Sequence, residues 1–168
     1  MDGSKKYKVG MYGGKFCPMH LGHRYVLQKA MTECEEVHVV MFYNTPDEMK
    51  FWGKWFINPY FRLSQIYRSF REIQIIGECV CYAHFINAKR YLVDGKEDWY
   101  AEADRIKNEI GTINAVYSSE PSYDSFFKDV YPYAEHVVVD AERKRYSVHS
   151  SYLRGLDDTS EELLRWLA

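Results

Sequence analysis

Gly13-Gly14-Lys15-Phe16-Cys17-Pro18-Met19-His20-Leu21-Gly22-His23 is the stretch on which the reading of this chain turns. Before it, Tyr7 to Tyr12 reads as a buried strand. After it, Leu21 to Met31 reads as a helix, with apolar positions at Leu21, Tyr25 and Met31. The paired glycines let the backbone turn sharply and approach a ligand with no Cβ in the way. A helix starting here is expected to offer unpaired N–H groups and the positive end of its dipole, which suit a phosphate. His20 and His23 are three apart and share one face of a helical turn. Gly22 between them is expected to leave room for a nucleotide, and Lys15 adds a mobile positive charge. The spacing is not that of a Walker A loop, which ends in Gly-Lys-Ser/Thr, nor of the Gly-x-Gly-x-x-Gly turn. No third ligand follows at a spacing suited to a metal, so no metal site is assigned.

Outward from this turn, strands and helices alternate. Val37 to Tyr43 is a strand, and a long loop with a run of bulky aromatics between Phe51 and Phe61 follows. Asn58-Pro59 starts a helix to about Phe70, by side-chain capping and a preset first turn. Ile73 to Ile76 is expected as a strand, and Gly77 to Lys96 has no clear pattern. Then come a helix Glu97 to Ile110, a strand Ile113 to Tyr117, a short helix Tyr123 to Val130 and a strand His136 to Val139. Helix follows from Ser151, and Thr159 to Glu162 begins a last short one. Such alternation implies an α/β three-layer sandwich, a mostly parallel sheet with helices on both faces. Ligands of such sheets bind at the carboxyl ends of the strands, where strand order reverses.

The 168 residues suit one domain, 1–168, with a core large enough to fold without a staple. Lys plus Arg is 22 against 24 Asp plus Glu, a net charge of −2, which argues against a nucleic-acid binder. No apolar run of about 18 residues is present, so no membrane-spanning helix is expected. The N-terminus lacks the apolar segment of a secretory signal. Cys17, Cys34, Cys79 and Cys81 lack a redox or zinc spacing and read as reduced thiols of a cytoplasmic protein.

A second polar segment runs from Asp140 through Arg143-Lys144-Arg145 to Val148-His149-Ser150-Ser151-Tyr152-Leu153-Arg154. Its three successive cations read either as a solvated loop or, with the hydroxyls and Arg154, as a phosphate site.

Gly14-Lys15-Phe16-Cys17-Pro18-Met19-His20-Leu21-Gly22-His23 resembles the Gly-x-Phe-x-Pro-x-His-x-Gly-His signature of the nucleotidylyltransferase superfamily at every fixed position. Val148 to Arg154 resembles its second signature, Ile-Ser-Ser-Thr-x-x-Arg, with His149 where the family has serine. Val116-Tyr117-Ser118-Ser119-Glu120, His38 to Asn44 and Val139-Asp140-Ala141-Glu142-Arg143 carry the likeness further. It is strongest to the nicotinamide mononucleotide adenylyltransferase domain of bacterial bifunctional NAD-biosynthesis proteins. Between Tyr43 and Gly111 it is weak apart from Arg62 and Gly95 to Trp99. No kinase portion like that of those proteins is present in these 168 residues, which stand alone or form a fragment.

The resemblance implies a Rossmann-like nucleotidylyltransferase fold and an adenylyl transfer from ATP, with Mg2+, to nicotinamide mononucleotide. It implies catalytic roles for His20, His23, Lys15 and Arg154. It implies nucleotide contacts from Gly14, Phe16, Gly22, Ser118, Ser119, Glu120, Arg143, Ser150 and Ser151. Trp99 is expected either to stack on the nicotinamide ring or to cap the core beneath a helix. The partners are then ATP and a phosphorylated small-molecule acceptor. The aromatic loop is left as a lid, a contact of a homo-oligomer or an interaction surface. Rival expectations are a cytidylyltransferase or phosphopantetheine adenylyltransferase of the same fold, and a nucleotide-binding module without catalysis.

Overall fold

A computed structural model describes residues 4–168. The chain order is β1 (Tyr7–Gly14), α1 (Leu21–Glu33), β2 (Cys34–Tyr43), α2 (Pro46–Met49), α3 (Pro59–Glu72), β3 (Val80–Asn87), β4 (Leu92–Val93), β5 (Lys96–Glu97), α4 (Trp99–Ile110), β6 (Ala115–Ser118), α5 (Asp124–Val130), β7 (Glu135–Val138), α6 (Ser150–Arg154) and α7 (Glu161–Trp166). Five strands form one sheet in the order β3-β2-β1-β6-β7, and every pairing is parallel. The order reverses between β1 and β6, so their carboxyl ends, at Gly14 and Ser118, open a crevice there.

Alternation along the strands sorts the side chains into two layers. Tyr12, Val39, Met41 and Tyr117 pack with Val26, Leu27 and Ala30 of α1 and Ile66 of α3. Met11, Val40 and Val116 point the other way and pack with Ala103 and Ile106 of α4 and Val130 of α5. A third cluster joins Cys17 of the signature loop to Phe56, Ile57, Val148, Leu153 and Leu163. It pins the C-terminal segment against the loop.

The predicted strand at Ile73 to Ile76 is not one. Those residues lie in a loop after α3, and the strand is Val80–Asn87. Ile73 and Ile75 only plug the edge of the core, while Ile76 is exposed and Gly77 takes a φ of 83°. The true strand is a sheet edge whose residues alternate in burial, so its apolar signal is diluted. A β4–β5 hairpin occupies the other part of the patternless stretch, and α4 starts at Trp99, capped by Asp98, rather than at Glu97.

Arg62 of α3 is wholly buried and holds three segments at once. Its Nε donates to Ile57 O at 2.8 Å and its Nη1 to the Lys15 carbonyl in the signature loop at 2.7 Å. Its Nη2 pairs with Glu48 of α2, also buried. Burial pushes the Glu48 carboxyl up and the Arg62 charge opposes this. Removing one partner of such a pair strands the other without water.

The start of α1 is capped by its own histidines. His20 Nδ1 accepts from the N–H of Gly22 at 3.0 Å and of His23 at 3.4 Å, and His23 Nδ1 accepts from the N–H of His20 at 3.1 Å. This is a reciprocal capping box built from imidazoles, their rings stacked at 3.7 Å. The expectation that these helix amides stand ready for a phosphate is corrected here: His20 takes two of them. With both Nδ1 atoms accepting, the neutral rings carry their protons on Nε2. Burial, with Arg143 and His149 nearby, lowers the His20 pKa to about 3. Burial, with His20 and Arg143, moves His23 down as well.

Two outcomes follow. Arg62→Ala should lower unfolding stability by about 3–5 kcal/mol, read from urea denaturation. A loss under about 1 kcal/mol would mean that the pair does not organise the loop. For His20, the unfolded chain takes a proton near pH 6.5 that the folded chain refuses until about pH 3. Its contribution to stability is therefore full above pH 6.5 and declines as pH falls from there toward 3. Between pH 7 and 5, the urea midpoint should drop more for the native chain than for His20→Asn. Equal drops would sink the assignment.

Candidate active site

A cavity of about 400 Å³ opens at the crevice between the ends of β1 and β6. One wall is basic and polar, formed by Lys15, His20, His23, Arg143, Ser150 and Arg154. Another part of the same lining is aromatic and acidic, with Phe42, Trp99, Phe126, Tyr131, Glu97 and Glu102. A smaller cleft of about 110 Å³ shares Gly14, Phe16, His23 and Arg143 with it and adds Tyr12, Ser118 and Ser119. The fold thus brings residues more than 130 positions apart into one concave surface.

The sequence-expected residues are positioned as follows. Gly14 lines both cavities, and a Cβ there would lie 3.1 Å from the Phe16 ring. Phe16, at a φ of 46°, is buried edge-on against Tyr12 and His23, so it supports the His23 ring from behind. Gly22 lines neither cavity. A Cβ on it would come within 2.9 Å of His20 Cε1, so its small size makes room for the capping imidazole. Lys15 Nζ donates to Asp47 at 3.0 Å, on the cavity rim. This pairing, above all the hydrogen bond, holds the Asp47 carboxyl below its ordinary range.

Arg154 reaches the same loop from α6. Its Nη1 donates to Cys17 O at 2.9 Å, its guanidinium lies 5.7 Å from the Phe51 ring centre, and its buried Nε has no partner. Ser150 Oγ donates to Pro18 O at 3.0 Å. Ser151 also lines the cavity. His149 is the N-cap residue of α6, makes no side-chain cap there, and turns toward the cavity. Arg143, at a φ of 54°, faces Glu120 at 3.6 Å. Asp140 holds that turn by accepting from the N–H groups of Lys144, Arg145 and Tyr146.

Ser118 ends β6 in a polar chain. Its Oγ lies 2.6 Å from His136 Nε2 and accepts from the Glu120 N–H at 3.1 Å. His136 in turn faces Asp124 at 3.4 Å. This chain fixes the turn that carries Ser119 and Glu120.

Trp99 is 45% exposed and stands in the cavity wall, edge-on to Tyr123 and Phe126, with Nε1 donating to Glu97 Oε2 at 3.3 Å. It is not a core cap beneath a helix. Glu102, one turn along α4, is 3% exposed. Burial, then Glu97 and Asp98, push its carboxyl up to about 8.

Sequence reading missed Glu48, Glu97, Glu102, Asp124 and His136. None stands in a recognisable spacing, and each acquires its neighbours only through the fold. The aromatic loop is anchored to the C-terminal segment. Lys54 Nζ donates to Arg154 O at 2.7 Å and Leu156 O at 2.9 Å, and Trp55 Nε1 donates to Asp158 O at 3.2 Å. Phe56 and Ile57 are core, while Trp52 and Tyr60 remain exposed. Among the described residues no helix is long and apolar enough to cross a membrane, and no group of three His, Cys, Asp or Glu is set to hold a metal.

No protein-family model matches the chain. Over 158 residues it is 27% identical to the trifunctional NAD biosynthesis/regulator protein NadR of Salmonella typhimurium, covering 89% of this chain and 37% of that protein. NadR of Escherichia coli matches with the same identity and coverage. The chain thus spans little more than a third of the curated relatives it matches. A solved NadR protein in complex with NAD and AMP-PNP superposes with a TM-score of 0.59 at 19% identity, over 98% of this chain and 46% of that one. A bifunctional NMN adenylyltransferase/ADP ribose pyrophosphatase from Francisella tularensis gives 0.58 at 15% identity, over 88% of this chain and 41% of that one. The chain thus carries the complete first signature on its β1–α1 turn and shares the fold of these solved structures, and it is similar in sequence to NadR.

Proposed function

We propose that this chain is an adenylyltransferase that joins the AMP part of ATP to nicotinamide mononucleotide, giving NAD and pyrophosphate. The observation that carries the reading is the division of one cavity into a basic wall, a small polar cleft and an aromatic chamber. A triphosphate, an adenine and a pyridine nucleotide ask for those three environments. The NadR match, and the solved NadR protein that holds NAD and AMP-PNP, support the same assignment.

In this mechanism the acceptor's 5′-phosphate oxygen attacks the α-phosphorus of ATP. A new P–O bond forms, the bond from the α-phosphorus to the α–β bridging oxygen breaks, and pyrophosphate leaves with that electron pair. The attacking phosphate is already ionised, so the chain need supply only alignment and charge stabilisation. His20 and His23 present Nε2–H donors to the α- and β-phosphate oxygens as neutral groups. An arriving anion then favours their protonated forms. Lys15, Arg143 and Arg154 neutralise the triphosphate and the leaving pyrophosphate, Ser151 donates to its terminal oxygens, and Ser150 joins it when its hydroxyl turns from the Pro18 carbonyl. Ser118, Ser119 and Glu120 border the adenine, with Gly14 and Phe16 forming the floor, and Trp99 stacks on the pyridinium ring.

The basic wall carries no cluster of carboxylates. Mg2+ needs few protein oxygens and would travel on the triphosphate, where it neutralises phosphate charge. One solved Francisella tularensis relative is complexed with AMP and a Mn ion, which supports divalent-metal use. The location that fits ATP chemistry and four free thiols is the cytoplasm.

His23→Ala should lower turnover by about 100-fold or more, in line with roughly 3 kcal/mol for one lost stabilising donor. The assay is pyrophosphate release with Mg2+, ATP and nicotinamide mononucleotide, with NAD quantified. Circular dichroism should show the fold retained. Near-normal turnover in a folded variant would remove His23 from the mechanism. Turnover with CTP and glycerol phosphate instead would keep the chemistry and replace the substrates.

A further inference from the structure

We propose that Glu97 and Glu102 form a selectivity filter at the aromatic end of the cavity, admitting an acceptor ring that bears a neutral primary carboxamide and rejecting the same ring bearing a carboxylate. The inference rests on the adenylyl-transfer reading above and names which form of the acceptor it uses.

Both acids line the cavity beside Trp99. Glu102 Oε2 and Glu97 Oε1 are buried without a hydrogen-bond partner. A buried polar oxygen left unpaired is costly, so each calls for a hydrogen-bond partner from whatever fills the chamber. The lining they share includes apolar side chains, Phe42, Ala103, Ile106 and Phe126, and the buried phenol of Tyr131, which feels the Glu102 charge. The charged groups felt by Glu102 are Glu97, Asp98 and Lys15. Lys15 is already paired with Asp47, and Asp98 caps α4 by accepting from the Ala101 N–H. The indole N–H of Trp99 is committed to the other oxygen of Glu97. No cation of this end is therefore spare to receive a second carboxylate.

The hydrogen-bonding pattern of the two acids fits a carboxamide. Burial and the acidic neighbours keep a proton on Glu102 at neutral pH, which makes it an O–H donor, while Glu97 accepts. A primary carboxamide offers two N–H donors and one carbonyl acceptor. A carboxylate offers only acceptors and sets its charge against that of Glu97, an arrangement that costs several-fold to many-fold in affinity. The positive pyridinium ring gains from the Glu97 carboxylate and from the indole face.

The test compares kcat/KM for nicotinamide mononucleotide and nicotinic acid mononucleotide, with ATP and Mg2+, in the native chain, E97Q, and the double variant E97Q/E102Q. The glutamines preserve shape, so folding should survive, and E97Q alone serves if the double variant does not fold. The native chain should favour the amide by about 100-fold, and the double variant by less than about 5-fold, through gain with the acid. Calorimetric titration of the two mononucleotides into protein loaded with a non-hydrolysable ATP analogue supplies a readout independent of turnover. Equal use of both acceptors by the native chain, or an unchanged ratio in the variants, overturns the filter and leaves adenylyl transfer standing. Amide-selective binding without transfer leaves the filter and removes the transfer reading. Absence of binding for both mononucleotides overturns both.

Discussion

The buried charge of Arg62 is the constraint around which the site is arranged. A guanidinium cut off from water must find every partner inside the protein. It finds them in the Ile57 carbonyl, the Lys15 carbonyl and Glu48. Satisfying one side chain therefore fixes the signature loop, the aromatic turn and α2 relative to α3. Glu48 is held in turn by the capping exchange with Thr45 at the start of α2. The glycine-rich loop is thus a rigid cradle whose shape is set from below.

On that cradle, sheet topology supplies the rest. Reversal of strand order between β1 and β6 leaves a crevice that no crossover helix covers. The C-terminal segment closes back over it, because Val148 and Leu153 bury themselves with Cys17 and Phe56. That burial delivers Arg154 to the Cys17 carbonyl and Ser150 to the Pro18 carbonyl. Lys54 secures the same segment from the aromatic loop. Packing energy, not attraction between like cations, gathers the basic wall.

The resulting cavity is electrically divided. Its basic wall meets phosphate charge with lysine, arginine and two neutral imidazoles, whose protonation an anion would favour. Its aromatic part is acidic, with Lys15 the cation that Glu102 feels. A substrate anionic at one end and cationic or polar at the other is oriented by this division before any specific contact forms.

The Gly14 to His23 signature, with its flanking strand and helix, was legible in the sequence because its residues are contiguous. So were the parallel α/β arrangement and the polar segment ending at Arg154. The β3 edge strand was displaced because a half-exposed strand has a weak apolar pattern, and Ile73 to Ile76 imitated one. The histidine cap on α1 was invisible, since the same two residues fit a phosphate site equally well on spacing. Gly22 was assigned to nucleotide space, yet its absent Cβ serves the His20 ring. Glu102 and the Ser118–His136–Asp124 chain had no local signal at all, and Glu97, though inside the Gly95 to Trp99 likeness, had none that marked it. What the sequence by itself determined is the chemistry available: the motif, the parallel α/β plan and the cations. Only the tertiary structure decided which amides the histidines occupy, which acids lose water, and which end of the cavity each charge faces. Burial and partner choice depend on residues far apart in the chain, and no short-range pattern encodes them.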